Sequence, residues 1–167
     1  MKIGLLSDTH SILKTGIKDF LKGSDEIWHA GDWGNIDVFN SLKEITPIIR
    51  GVYGNIDGPT FNSELTENQI FTVEDMKVLI THIGGYPGRY QSRVRKLIIT
   101  EKPKLYIAGH SHILKVMPDK KYDLLHINPG AAGKSGFHRI STAIRFEING
   151  DRIKNLQIYE LGKSLDK

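Results

Sequence analysis

The stretch Glu26-Ile27-Trp28-His29-Ala30-Gly31-Asp32 decides how this chain is read. A short apolar run with the character of a buried strand stops at a glycine and a carboxylate. The same unit recurs along the chain. Leu5-Leu6-Ser7 runs into Asp8 and His10, and the Ile-Ile-Arg-Gly-Val-Tyr-Gly of residues 48–54 runs into Asn55. Val78-Leu79-Ile80-Thr81 runs into His82, and Leu105-Tyr106-Ile107-Ala108-Gly109 runs into His110 and His112. Every one of these runs ends in side chains able to ligate a metal ion.

The chain has 167 residues, enough for one domain, 1–167, with a sizeable core. Apolar residues make up 39% and charged residues 25%, the balance of a globular protein in water. No run approaches the roughly 20 apolar residues of a membrane span. The first apolar run meets Asp8 too early for a secretory signal, so a cytoplasmic location with no membrane partner is expected. Cysteine is absent, which excludes disulfides and thiolate metal sites and leaves seven histidines as nitrogen ligands. A net charge of +4 is too mild to argue for nucleic acid, and it is compatible with a small phosphate-bearing substrate. A homo-oligomer is left open.

Around the opening stretch the elements alternate. Residues 2–7, 26–30 and 48–53 read as strands. A helix capped by Ser11 carries Leu13, Ile17, Phe20 and Leu21 inward and ends at Gly23. A second opens at Asn35 or Asp37, turns Val38, Phe39, Leu42 and Ile45 inward, and closes at Pro47. This β-α-β-α-β order favours parallel pairing. Asp57-Gly58-Pro59 reads as a loop. Strands are expected at 69–73 and 77–81 around the turn Glu74-Asp75. After the loop 84–88 comes a helix with Tyr90, Val94, Leu97 and Ile98 on one face. Arg89, Arg93, Lys96 and Lys102 lie off that face and read as a solvated surface. Strands at 104–108, 115–117, 122–127, 142–148 and 152–160 follow, the last two joined by Asn149-Gly150-Asp151, a hairpin signal. The second half is therefore expected to be antiparallel, with the last residues, Gly162 to Lys167, fraying.

Taken singly, the polar strand ends are weak signals. Asp8-Thr9-His10 places two side chains on one side of an extended chain, but Asp and Asn at such points are also turn chemistry. A lone His82 reads more readily as a hydrogen-bonded core histidine than as a ligand. Gly109-His110-Ser111-His112 is more specific, because two histidines flanking a small residue after a strand suit a metal. Together they sit where open α/β sheets place their ligand crevices. They offer oxygen and imidazole nitrogen but no sulfur, which suits Mn²⁺, Fe²⁺, Ni²⁺, Co²⁺ or Zn²⁺ better than Ca²⁺. There are enough of them for two ions. One carboxylate can hold two ions about 4 Å apart, and Asp32 is placed to be that shared group.

The motifs Asp8-Thr9-His10, Gly31-Asp32, Gly54-Asn55-Ile56-Asp57, Thr81-His82 and Gly109-His110-Ser111-His112, with the turn Asn128-Pro129-Gly130, occur in an order that resembles the calcineurin-like metallophosphoesterases over nearly the whole chain. The match is to the small bacterial and archaeal phosphodiesterases of that superfamily. The resemblance implies an α/β fold of four layers, αββα, with two mixed sheets flanked by helices. It assigns Asp8, His10 and His112 to one metal, Asn55, His82 and His110 to a second, and Asp32 to both. It implies two divalent transition-metal ions, Mn²⁺ first among them, and hydrolysis of a phosphodiester by in-line attack of a hydroxide shared by the metals. Asp32, Asn55 and His82 are the catalytic expectation.

Two positions depart from the family pattern. The third motif usually reads Gly-Asn-His-Asp or Gly-Asn-His-Glu, with the His against substrate and leaving group. Here Ile56 stands there and has no proton to donate; His126 or His138 could supply an acid from elsewhere, but each reads more readily as a surface or strand histidine. Relatives often read Thr-His-Gly-His where this chain has Thr81-His82-Ile83-Gly84, which implies an altered outer shell and an intact metal site. The rival reading is a scaffold like the retromer subunit that shares this fold. A nuclease would need a nucleic-acid groove, for which only the scattered cations between Arg89 and Lys102 speak.

Overall fold

Residues 1–136 and 140–162 are described by the computed structural model, and the strands among them form two five-stranded sheets. The first sheet holds β1 (Lys2–Leu6), β2 (Glu26–His29), β3 (Ile49–Gly51), β9 (Ile140–Asn149) and β10 (Arg152–Gly162), in the order β10-β9-β1-β2-β3. The second holds β4 (Asn68–Val73), β5 (Met76–Thr81), β6 (Leu105–Ala108), β7 (Leu114–Asp119) and β8 (Leu124–Pro129), in the order β4-β5-β6-β8-β7. Four helices accompany them: α1 (Thr15–Leu21), α2 (Ile36–Lys43), α3 (Pro59–Glu64) and α4 (Ser92–Glu101).

Side-chain alternation builds the layers. In β1, Ile3 and Leu5 turn into the core between the sheets, while Leu6 faces α1 and α2. In β5, Val78 and Ile80 enter the same central core, while Leu79 packs under Val94 and Ile98 of α4. In β6, Leu105 and Ile107 turn inward, and Tyr106 and Ala108 face α4. The strands are therefore apolar on both faces. Each fully buried Ile, Leu or Val stabilises the fold by about 1.5–3 kcal/mol relative to exposure. The result is the expected αββα arrangement.

Both sheets are mixed. β1, β2 and β3 are mutually parallel, and β9 joins β1 antiparallel. In the second sheet β5, β6 and β8 are parallel, so the expected antiparallel second half holds for the pairs β7-β8 and β9-β10 but not for β8 beside β6. Turn signals report neighbours in sequence, and β9 pairs with β10 across Asn149-Gly150-Asp151 as β7 does with β8. They do not report that β8 inserts beside β6, a pairing set by the core.

Two local expectations also change. Ser11 caps no helix, and α1 begins at Thr15 after Lys14. The Ser11 backbone N–H instead donates to Trp33 O at 2.8 Å, drawing residues 8–12 toward the loop after β2. The turn signal at Asp57-Gly58-Pro59 opens the short helix α3, with Pro59 in its first turn and Phe61 buried. Gly162, where fraying was expected to begin, instead pairs with Ile140 as the last residue of β10, and His138 and residues 163–167 lie outside the described residues.

Candidate metal centre

Parallel strands end on the same side, so the loops after β1, β2, β3, β5 and β6 meet at one edge of the two sheets. They bring all seven sequence-derived candidates together. Asp32 lies between two histidines, with Oδ1 at 3.2 Å from His82 Nε2 and Oδ2 at 3.6 Å from His10 Nε2. On the His10 side, His112 Nε2 is 3.3 Å from His10 Nε2 and 3.2 Å from Asp8 Oδ1. On the His82 side, Asn55 Oδ1 is 3.0 Å from His82 Nε2 and 2.9 Å from His110 Nδ1. Asp8, Asp32 and His82 are buried, His10 and His112 half-buried, and Asn55 and His110 exposed. The cluster thus has a closed floor and an open mouth.

The backbone is held in costly conformations here. Asp8, His10, Asp32, His110 and His112 all have positive φ, between 45° and 66°. Such left-handed residues cost on the order of 1–3 kcal/mol each unless the surroundings enforce them. The enforcing bonds are visible. Asp8 N–H donates to Gly31 O at 3.0 Å and His10 N–H to Asp32 O at 3.1 Å. Gly54 lies so close to the centre that a Cβ there would stand 2.1 Å from Asp32 Oδ1.

Four residues that sequence reasoning did not single out complete this support. His29, fully buried and stacked on Trp33 at 3.7 Å, receives Gly31 N–H on Nδ1 at 3.2 Å. Its Nε2 then donates to Thr9 Oγ1, 3.1 Å away, and Thr9 donates on to Trp33 O at 3.0 Å. Burial, helped by the nearby His82, holds His29 well below the usual histidine range, so it is a neutral relay. Asp57 accepts Gly34 N–H at 2.9 Å and Gly54 N–H at 2.7 Å, which ties the second and third ligand loops together. Asn128 of the Asn-Pro-Gly turn donates to Gly109 O at 2.8 Å and positions the histidine pair. Thr9, Asp57 and Asn128 belong to quoted motifs, which was the available signal. His29 had none beyond its place before Gly31.

The donor atoms fit a cation. His82 Nδ1–H donates to Ala30 O at 2.8 Å, which leaves Nε2 facing the oxygens of Asp32 and Asn55. Three lone-pair atoms facing one another require a proton or a metal among them. Burial opposes charge on His82, but Asp32 beside it outweighs this and raises its pKa. Burial likewise opposes charge on Asp32, and His82 with the Ile56 N–H, at 3.1 Å, overcomes it and lowers the pKa. Asp8 Oδ1 is buried and accepts no hydrogen bond among the described residues, although Oδ2 is held by Ser7 Oγ and by His110 N–H. Ligand atoms of Asp8, His10 and His112 lie within 4.8 Å of one another, as do those of Asp8, Asp32 and His82. Carboxylate, imidazole and amide oxygen form a set suited to divalent transition ions.

Both departures have physical readings. A Cβ at Gly84 would stand 1.9 Å from Tyr106 Oη, so no histidine fits there while Tyr106 is present. Ile56 has a role independent of its side chain, since its N–H holds Asp32. The side chain itself is 45% exposed at the mouth. His126 is a buried histidine of β8, 1% exposed and stacked on Tyr106. Burial pulls its pKa to about 4, so it holds no acidic imidazolium proton near neutral pH.

Two clefts open from the cluster. The larger, of about 350 Å³, runs from His110 past Tyr86, Arg89 and Lys115. The smaller, of about 180 Å³, is lined by Asn55, His82, Tyr53 and Arg93. Ile83 lines both.

A family model described as the calcineurin-like phosphoesterase superfamily domain matches residues 1–151. A phosphodiesterase of Methanocaldococcus jannaschii is 31% identical over 145 residues, which cover 78% of this chain and 83% of that protein. A protein of Methanothermobacter thermautotrophicus named as a probable metallophosphoesterase is 28% identical over 136 residues, 78% of this chain and 77% of its own. Among solved structures, wild-type Vps29 of Entamoeba histolytica complexed with zinc has a TM-score of 0.76 at 18% identity, covering 100% of this chain and 95% of that one, a likeness of fold. No helix among the described residues is long and apolar enough to cross a membrane.

Proposed function

The chain belongs to the calcineurin-like phosphoesterase superfamily, and from that premise we propose that it hydrolyses phosphodiesters at a centre of two divalent cations. Asp8, His10 and His112 would hold one ion, Asn55, His82 and His110 the other, and Asp32 both. The observation that carries this reading is the division of the Asp32 carboxylate, one oxygen toward His10 and the other toward His82. When bound, such ions lower the pKa of a bound water and offset charge on phosphoryl oxygens.

The chain's own residues do the rest. Asp32 is fixed by the Ile56 N–H, so it cannot swing toward one half of the site. His82 is oriented by Ala30 O, which leaves Nε2 as its ligating atom. Asn55 and His110, exposed at the mouth, are the groups a phosphoryl oxygen meets first. The pair of clefts supports a diester over a monoester, because a diester has two organic arms to place beside one phosphorus. The apolar Tyr53 and Ile83 suit the smaller cleft to a compact leaving alcohol. A relative named as a phosphodiesterase supports the same reaction.

A scaffold reading has one feature in its favour. Ile56 and Ile113, exposed at 45% and 60%, directly follow ligand residues and would suit an apolar partner. The complete ligand set and the strained backbone beneath it serve no such purpose. The deciding experiment reconstitutes the protein with Mn²⁺, counts bound metal, and screens phosphomonoesters, diesters, cyclic nucleotides and oligonucleotides. About two equivalents of metal and a preference for diesters are expected from the two-ion centre. One equivalent, or monoesters cleaved faster, would overturn the reading.

A further inference from the structure

We propose that the larger cleft receives the ester arm of the substrate that stays on phosphorus, and that this arm carries a second phosphate group bound by Arg89 and Lys115. The inference rests on the phosphodiesterase reading and narrows its substrate class.

The cleft is continuous with the candidate metal centre, because His110 lines it. No carboxylate is among its lining residues. Elsewhere cations near acids are matched with them: Lys18 with Glu44, Arg50 with Glu26, Lys77 with Glu101 and Arg93 with Glu67. Among the described residues neither Arg89 nor Lys115 has an ion-pair partner. Lys115 is half-buried, and its ammonium lies 3.8 Å from the centroid of the Tyr86 ring. Its charge also bears on His126, which lines the same cleft and is 1% exposed. His126 Nδ1 has no hydrogen-bond partner among the described residues. A buried polar nitrogen without a partner and a half-buried cation without an anion are each unfavourable by themselves. One ligand could relieve both, a phosphate at the cations with a polar group reaching His126. Two cations match a phosphate monoester, which carries between one and two negative charges near neutral pH. The face of Tyr86 would cover the organic part between the two phosphates.

The test uses the manganese-loaded full chain and two probes, thymidine 5′-(4-nitrophenyl phosphate) and the same compound bearing a 3′-phosphate. The readout is the ratio of their kcat/KM values in each protein, which cancels differences in folded or metal-loaded fraction. In the wild type the 3′-phosphate should raise kcat/KM by about tenfold or more, the effect expected of charge-assisted hydrogen bonds. Lys115→Met and Arg89→Ala should each reduce that ratio severalfold, and the double substitution should bring it near one. Added salt should lower the wild-type ratio as well. A wild-type ratio near one, or a ratio that survives the double substitution, overturns the inference. If neither probe is cleaved, the phosphodiesterase reading fails by itself. Calorimetric affinities for thymidine 3′,5′-bisphosphate and thymidine 5′-phosphate in the same four proteins then decide the inference, and an equal affinity for the two in the wild type sinks it.

Discussion

The two clefts that meet at Ile83 treat their arginines in opposite ways. In the smaller one, Arg93 is bound on several sides. It lies 3.3 Å from Glu67, donates to Ile83 O at 3.2 Å, and also bonds Asn68. In the larger one, Arg89 and Lys115 face a cleft without a carboxylate. Both clefts lie beside the same cluster, so the difference is not one of distance to the chemistry. An arginine whose hydrogen bonds are spent on its own chain holds a wall in place. A cation with no anion beside it keeps its field for a ligand. Arg93, read from the helical pattern as part of a solvated surface, is in this sense a structural residue.

Removing the carboxylate at the centre of the cluster beside both clefts is the strongest way to break the comparison. Asp32→Ala deletes the group that faces both histidine sets and leaves His82 Nε2 opposite Asn55 alone. Metal content should fall toward zero, and activity should drop by more than the roughly 10–100-fold that outer-shell changes cost. Wild-type metal content in the variant would disprove the bridging assignment.

The next effect is on stability and belongs to the larger cleft. His126 in the folded protein has a pKa of about 4, below the ordinary histidine value of 6.5. The unfolded chain therefore takes up a proton between those values that the folded chain refuses. Stability should be unaffected above about pH 6.5 and should fall as the pH drops from there to about 4, by on the order of 3 kcal/mol in all. Urea titrations across this window should show a shallower fall in His126→Phe, which keeps the ring against Tyr106. His29 remains in both proteins, so the difference between the two curves reports His126. Parallel curves would mean that His126 reaches water in the folded state.

The side on which the leaving alcohol departs can be tested at Ile56, which follows Asn55 at the edge of the smaller cleft. A positioned general acid contributes about 10²–10⁴-fold, and an unsupported histidine at this point should recover a part of that, on the order of tenfold. In a leaving-group series, Ile56→His should speed alkyl esters more than nitrophenyl esters and flatten the dependence on leaving-group pKa. A slope that stays at the wild-type value would place the leaving oxygen in the larger cleft. It would thereby reverse the roles given to the two.

The smallest expected effect converts one cleft toward the other. Glu67→Gln removes the carboxylate from Arg93. The pair is exposed, so the stability cost should be below about 1 kcal/mol. The KM for bis(4-nitrophenyl) phosphate should fall by less than about fivefold and become more sensitive to salt, because a freed cation attracts the anionic substrate. An unchanged salt dependence would show that Asn68 and Ile83 O already neutralise Arg93.

Much of the candidate site was legible along the chain because its grammar is local. An apolar run that ends in Asp8, Asp32, Asn55, His82 or His110 announces both the strand and the group at its end. Parallel strands of similar length must then deliver those groups to one edge. Alternation along β1, β5 and β6 likewise carries the layer structure, since Ile3 and Leu5 cannot face the same side as Leu6. The missed features are of another kind. α3 lay behind a strong turn signal at Gly58-Pro59, whose residues also suit a helix start. Ser11 looked like a cap, but its backbone was taken by Trp33.

The sequence by itself determined which side chains could bind a cation, the order in which strands deliver them, and that sulfur takes no part. Only the tertiary structure decided which of them stand together, because that depends on the direction of each Asp32 oxygen and not on spacing. It also decided that Gly84 admits no side chain, since Tyr106 is distant in sequence and occupies the space a Cβ would need. It placed β8 between β6 and β7, a parallel neighbour that no turn signal announces, with Ile127 buried in the central core. The contrast between the clefts arises in the same way. Arg89 and Arg93 are four residues apart and alike in sequence, and what separates them is whether folding brings Glu67 within reach.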